Sequence, residues 1–414
     1  MPRHTFKTNR AYLYTLKTPT SMTNSAIVAP APARILPVIV LSQFAGTSLW
    51  FAGNAVLPEL QASLGLKGEA LGLLTSSVQL GFILGTLCFA FFSLADRVSP
   101  RLLFLLCSLL GALANVLLAG ATSITGVLLL RGLTGFLLAG IYPVGMRIAA
   151  SWYSGGLGKA IGYLVGALVL GTAFPYLLRG LGASLPWQTM LLAISILAAA
   201  GGLAMYLLVP NGPYMGKGAR FEVGNMLRVF RVGELRAAAL GYFGHMWELY
   251  TLWAFVPVIL AYAYPEWAPG QLSVFSFLVI AAGAVGCVAG GYLSQRWGSG
   301  RVAFVQLLLS GLCCVASVWV LQLPQLLLPF LLFWGVVVAG DSPQFSALTA
   351  RAAPPQLVGT ALTVVTSIGF AITIISIQLT GYLLTVMPLR GVFILLAVGP
   401  LLGLLSMRPL LRAK

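Results

Sequence analysis

The stretch Gly241-Tyr-Phe-Gly-His245-Met-Trp247-Glu248-Leu-Tyr250-Thr-Leu-Trp253 lies inside an apolar run over 237–262. A run of that length crosses a bilayer as one helix. Hydrocarbon offers a carboxylate no water, and an acid at the centre of an inserted helix costs about 3 kcal/mol on the insertion scale. Glu248 falls near the middle of the run, with His245 one turn away on the same face. Such a pair survives only in a protein interior or a wet cavity, where it marks a proton or substrate path. The competing reading is a carboxylate tied to a neighbouring helix as structural glue.

The rest of the chain fits a membrane interior. Its 414 residues are 59% hydrophobic and 8% charged, against about 25% charged in soluble domains. Continuous apolar runs fall at 35–57, 70–94, 102–121, 124–148, 160–181, 188–209, 237–262, 271–294, 303–322, 326–350, 358–384 and 391–407. They are unbroken rather than alternating, so the expected fold is an all-α membrane protein of twelve transmembrane helices, not a barrel. The expected organisation is a disordered basic tail over 1–34, six spans over 35–209, a cytoplasmic linker over 210–236, six more over 237–407 and a short tail over 408–414.

A net charge of +16 would suggest nucleic acid in a soluble chain, but here its placement decides otherwise. Nearly all Lys and Arg fall in segments on one side, while the opposite loops hold Lys67 and Arg390. By the positive-inside rule both termini are cytoplasmic, and the basic balance reads as topology plus contact with anionic lipid, without a nucleic-acid partner. The expected location is a bacterial inner membrane. The five cysteines all lie in expected spans, without metal or disulfide spacing, and read as packing residues. No cofactor is implied. Met22 could even be the real start, since the spanning pattern begins soon after it, and the segment 212–218 has neither the spacing nor the Ser/Thr of a phosphate loop.

The two halves repeat. After the second run comes Phe92-Ser-Leu-Ala-Asp96-Arg97-Val-Ser99-Pro-Arg101, and after the eighth Gly291-Tyr-Leu-Ser-Gln295-Arg296-Trp-Gly298-Ser-Gly-Arg301. Repeats of this kind imply two pseudo-symmetric six-helix bundles with a site between them at the midplane. These residues resemble the loop signature G-x-L-a-D-R-x-G-R-R of the major facilitator superfamily. The first copy keeps Leu94, Ala95, Asp96, Arg97 and Arg101; the second keeps Gly291, Leu293, Arg296 and Gly298, with Gln295 in place of the acid. The resemblance implies a secondary transporter that alternates access by rocking its bundles, working as a monomer. An Asp–Arg cluster at the inner helix ends could latch the bundles in one state, which makes Asp96, Arg97, Arg101, Arg296, Gly291 and Gly298 the gating candidates.

In the fourth run Arg131-Gly-Leu-Thr-Gly135 is similar to the superfamily's R-x-x-x-G pattern, which links this arginine to proton coupling or to holding anionic groups. Snorkelling to the outer interface is the rival reading. Tyr142-Pro143 follows with a kink and a hydroxyl. Gln43, Thr47, Trp50 and Asn54 form a polar stripe on the first span, lining either a cavity or a helix contact. Trp247, Tyr250 and Trp253 suit the wall for a flat amphipathic ligand. Asp341, followed by Pro343, implies a broken tenth helix whose freed carbonyls line a cavity, with Asp341 coupling to Glu248 or pairing with Arg131.

The substrate-binding candidates are therefore Gln43, Trp50, Asn54, Arg131, Tyr142, His245, Trp247, Tyr250, Trp253 and Asp341. Glu248 is the first proton-coupling candidate, with Asp341 second and Arg131 the permanent counter-charge. The implied partners are a small anion or modest amphipathic organic molecule, and protons. Segments around Tyr142-Pro143 and 162–175 look similar to bacterial nitrate/nitrite and cyanate permeases, although the eleventh span lacks the nitrate carriers' glycine-rich repeat. The glycines of the fifth span keep a proton-antiport multidrug or metabolite efflux pump as an alternative. A non-transporting ligand sensor would want an appended domain that is not seen, and enzyme chemistry has no nucleophile–base pair to stand on.

Overall fold

The computed structural model describes residues 31–65, 70–153, 157–215 and 228–412. The tail over 1–30, Lys67 and the 216–227 part of the expected linker lie outside them. The described part of that linker has a 3-10 turn over Arg228–Arg231 before the next span begins.

The first span is α1 (Ile35–Thr47), α2 (Ala52–Ala55) and α3 (Leu57–Leu64). The second is α4 (Ala70–Phe91), followed by the turn of α5 (Leu94–Arg97) and the third span, α6 (Pro100–Leu117). The fourth is split into α7 (Ile124–Leu138) and α8 (Tyr142–Ala150), and α9 (Leu157–Leu181) and α10 (Trp187–Leu208) complete the first bundle. The second bundle has α11 (Gly233–Ala263), α12 (Pro269–Trp297) and α13 (Ser299–Val320). Its fourth member is split into α14 (Pro324–Ala339) and α15 (Ser342–Ala352), followed by α16 (Val358–Val386). The last span runs through α17 (Leu389–Val392) and α18 (Val398–Ser406) into α19 (Arg408–Arg412). Among the described residues, eleven helical stretches are long and apolar enough to cross a membrane, and Ile35–Thr47 is a shorter apolar helix that opens the broken first span.

That first span differs from the uninterrupted run expected over 35–57. Two hydroxyls at its break turn back on their own helix: Thr47 Oγ1 donates to Gln43 O at 2.8 Å and Ser48 Oγ to Ala45 O at 2.6 Å. Such back-bonding competes with the helical ladder and bends it. The chain resumes as a helix at Ala52 and continues to Leu64.

Internal symmetry is visible at the other breaks. Ala139-Gly-Ile-Tyr-Pro143 and Ala339-Gly-Asp-Ser-Pro343 share the pattern A-G-x-x-P, and each interrupts the fourth span of its bundle. The close helix crossings repeat too. A Cβ on Gly81 would collide with Gly132 O, and one on Gly135 with Val78 O, where α4 meets α7. In the second bundle a Cβ on Gly286 would collide with Val336 O, and one on Gly335 with Val279 O, where α12 meets α14. Backbones this close gain dispersion and carbonyl contacts that side chains would prevent, which is how helices associate in lipid. The bundles meet along two seams, α9 against α12 and α4 against α16.

Gly286→Ala should lower the thermal stability of the detergent-purified protein by the equivalent of about 1–3 kcal/mol of overpacking. Gly120→Ala, whose added Cβ meets nothing within 4 Å, should leave the melting temperature unchanged. Equal melting temperatures for the two variants would show that the α12–α14 crossing is looser than described.

Candidate functional site

The break in the first span leaves carbonyls that lipid cannot solvate, and a buried arginine meets them. Arg131 is fully buried; its Nη1 donates to Leu49 O at 3.1 Å and its Nη2 to Trp50 O. Gly53 makes room, since a Cβ there would stand 2.9 Å from the Arg131 Nε. The guanidinium therefore points into the first bundle, away from the snorkelling position. Its contacts fix where Trp50 goes. The indole crosses to the other bundle, its ring 5.7 Å from Tyr250 and 5.6 Å from Phe370, near-parallel to both. Phe82 lies 4.5 Å from Phe370, and Phe51 sets its edge against Trp253. An aromatic layer thus closes the middle of the interface between the bundles.

On one side of this layer a vestibule of about 1030 Å³ opens between α3, α9, α11 and α12, with Asn54 and Tyr176 among its lining residues. Asn54 Nδ2 donates to Thr75 Oγ1 at 2.7 Å. Arg179, on the same wall, binds the Glu59 carboxylate through Nε at 2.7 Å and through Nη2. A much smaller pocket of about 20 Å³ lies between the bundles, lined by Tyr142, Tyr242, Met246, Tyr250, Trp253 and Ser342 among others. That is room for about one water, so the centre is contracted.

The second bundle holds the two fully buried acids, Glu248 and Asp341. His245 Nδ1 stands 2.8 Å from Asp341 Oδ1 as a close buried pair, while neither ring nitrogen nor either Asp341 oxygen has a partner in hydrogen-bond geometry among the described residues. Asp341 occupies the N-cap position of α15, where the positive end of the helix dipole favours a carboxylate. Its neighbours Ala339 and Ser342 line the central pocket. Asp341 thus pairs with His245 rather than Arg131. Glu248 is elsewhere in the same bundle: Ser310 Oγ donates to its Oε2 at 2.9 Å and Trp334 Nε1 to its Oε1 at 2.6 Å. It is fully buried and is not among the residues lining the pocket.

The remaining candidates divide. Tyr142, Tyr250 and Trp253 are at the pocket. Trp247 turns to the last span, donating from Nε1 to Leu395 O at 3.3 Å. Gln43 is buried beside Gly145, without a hydrogen-bond partner for its amide among the described residues. At the basic face Asp96 pairs with Arg147, and this contact stays within the first bundle. Arg101 donates to Val209 O at 3.1 Å and to Asn211 Oδ1 at 3.2 Å, tying the third span to the end of the sixth. Arg97 and Arg296 are exposed. Gly298 ends α12 with φ +79°, and Gly291 packs against Gly162 across the bundle seam. One polar contact that bridges the bundles on this side is among those sequence reasoning missed: Tyr163 and Tyr292 share a hydrogen bond of 2.9 Å, with Lys159 Nζ 4.9 Å from the Tyr292 ring centre. Tyrosines near a helix end are ordinary in membrane proteins, so no motif singled them out. Trp334 and Ser310 were equally silent as partners of Glu248.

Comparison with known proteins agrees with this architecture. The sequence profile of the Major Facilitator Superfamily matches residues 39–377 and, in a second match, 238–413. The probable sulfoacetate transporter SauU of Cupriavidus necator is 25% identical over 260 residues, 55% of this chain and 58% of that protein. The matched part thus spans somewhat more than half the length of that relative. Among solved structures, the human organic anion transporter MFSD10 superposes with a TM-score of 0.72 at 18% identity, covering 92% of this chain and all of that one. An inward-facing bacterial homolog of the human lysosomal transporter Spinster gives 0.70 at 15% identity, over 91% and 96% of the two chains. The nucleoside transporter NupG gives 0.69 at 13% identity, over 91% and 100%. At these identities the structures bear on fold alone.

Arg131→Met should destabilise the protein by about 1–3 kcal/mol for each carbonyl left without a donor. It should also shift the tryptophan emission as Trp50 loses its place. Wild-type stability and emission in that variant would mean that the break in the first span is held by something else.

Proposed function

The chain belongs to the major facilitator superfamily and is a multi-pass membrane transporter; on that premise we propose that it carries a small organic anion together with protons. The observation that bears most weight is the buried Asp341–His245 pair, set at a helix break beside the pocket between the bundles. A carboxylate there is an electrostatic liability unless it is paired or protonated. An anion entering the same interior adds a second negative charge, and a proton taken up with it restores neutrality. Coupling then needs no device beyond the two charges sharing one low-dielectric space.

Asp341 and His245 are the proton-coupling pair in this reading. Arg131 contributes a standing positive charge from the first bundle, and Glu248 anchors Trp334 and Ser310 within the second. The name of one similar protein, a probable sulfoacetate transporter, supports the substrate class. The positive-inside rule supports the basic face as cytoplasmic, with both chain ends there and the vestibule facing out. A bacterial inner membrane and a monomeric working unit complete the proposal. The aromatic layer of Trp50, Tyr250 and Phe370 favours a second reading, export of flat amphipathic molecules.

Reconstituted vesicles with an imposed pH gradient test the assignment, using labelled sulfoacetate as the probe. Asp341→Asn should abolish accumulation above equilibrium while exchange between loaded vesicles and medium continues. Glu248→Gln should keep gradient-driven accumulation but reduce stability by about 1–3 kcal/mol as its buried hydrogen bonds are disturbed. The reverse pattern would move coupling to Glu248. Accumulation of hydrophobic cations instead of the anion would favour the export reading.

A further inference from the structure

The two A-G-x-x-P breaks put the starts of two half-helices at one pocket. Tyr142, the first residue of α8, and Ser342, the first of α15, both line it. The first turn of each helix leaves backbone N–H groups without intrahelical partners, and its dipole places positive potential there. Proline at the second position, Pro143 or Pro343, has no N–H to satisfy.

The two ends differ in one residue that decides their chemistry. Asp341 occupies the N-cap position of α15 without making a side-chain cap hydrogen bond, and its carboxylate still places the second bundle's own acid at that end. At the matching place α8 is preceded by Ile141, and no side chain caps it. The residues lining the pocket include no carboxylate. They do include an unused donor: Trp253 is 1% exposed, and its Nε1–H has no acceptor among the described residues. A buried N–H without an acceptor carries an uncompensated desolvation penalty, which an acceptor brought in with a ligand would remove.

We infer that the uncapped N-terminal end of α8 is an oxyanion subsite, taking the carboxylate or sulfonate head of a small organic anion with Tyr142 and Trp253 as neutral donors. The inference rests on the organic-anion reading above. Val165, Leu168 and Met246 line the rest of the pocket and suit a short apolar body behind the head. Recognition by helix-end amides, a phenol and an indole keeps the substrate's charge out of direct ion pairing, so the head can leave when the bundles rock. It also separates the two negative charges: substrate at the α8 end, Asp341 at the α15 end. The pocket's present volume means that the bundles must part before the subsite fills.

Equilibrium binding to the full-length purified protein, followed by thermal shift, tests this with acetate, methanesulfonate and sulfoacetate as oxyanion probes. Ethanolamine is the cationic control and glycerol the neutral one. Wild type should be stabilised by at least one oxyanion, and Tyr142→Phe and Trp253→Phe should each weaken that binding about tenfold or more. Both variants keep an aromatic ring, and unchanged melting temperatures without probe would show intact folding. If one fails to fold, the other decides. Oxyanion binding at wild-type affinity in the folded variants overturns the subsite while leaving organic-anion transport standing. Binding of ethanolamine or glycerol alone, or of none of the probes, overturns the subsite and the anion reading together.

Discussion

Inside hydrocarbon, each polar group of the backbone and each charge has to find its partner within the protein. This constraint organises the molecule wherever a helix departs from regular geometry. The first span breaks after Thr47, and Arg131 reaches from the fourth span to the carbonyls of Leu49 and Trp50. The same contacts set Trp50 across the interface, where it stacks on Tyr250 and Phe370. Removing regular hydrogen bonds in one helix thus creates a fixed aromatic layer between two bundles.

The halves of the chain share a plan and divide the charge. Both break their fourth span at A-G-x-x-P, and both cross their second and fourth spans through glycines whose Cα atoms lie almost against a neighbouring carbonyl. The first bundle then holds a cation committed to backbone carbonyls. The second holds two fully buried acids, one paired with His245 beside the pocket and the other held by Ser310 and Trp334. Symmetry supplies the frame, and the departures from symmetry set the buried charges apart.

Much of this frame was legible in the sequence. Span number, the bundle repeat and the intramembrane ionisable residues follow from composition and spacing, because hydrocarbon penalises every exception to apolarity. The break at Asp341 was legible too, since an acid and a proline inside an apolar run cannot continue a regular helix. What each polar group reaches was not legible. α11 is buried on nearly all sides, so helical periodicity gave no means of telling that Trp247 faces the last span while Trp253 faces the pocket. The break in the first span has no proline to announce it, and Arg131 reads the same from sequence whether it meets a substrate or two carbonyls. The loop signature drew attention to Asp96, yet its pairing with Arg147 stays inside one bundle. The hydrogen bond of Tyr163 with Tyr292 spans the seam through residues that no motif marks.

The central claim is that an anion and a proton share one electrostatic interior and therefore move together. Proton movement on adding the anion, read by a pH-sensitive dye inside reconstituted vesicles without any imposed gradient, tests it most directly. The account predicts that sulfoacetate or a related small organic anion acidifies the vesicle lumen as it enters. Anion entry with no change in lumenal pH would contradict it.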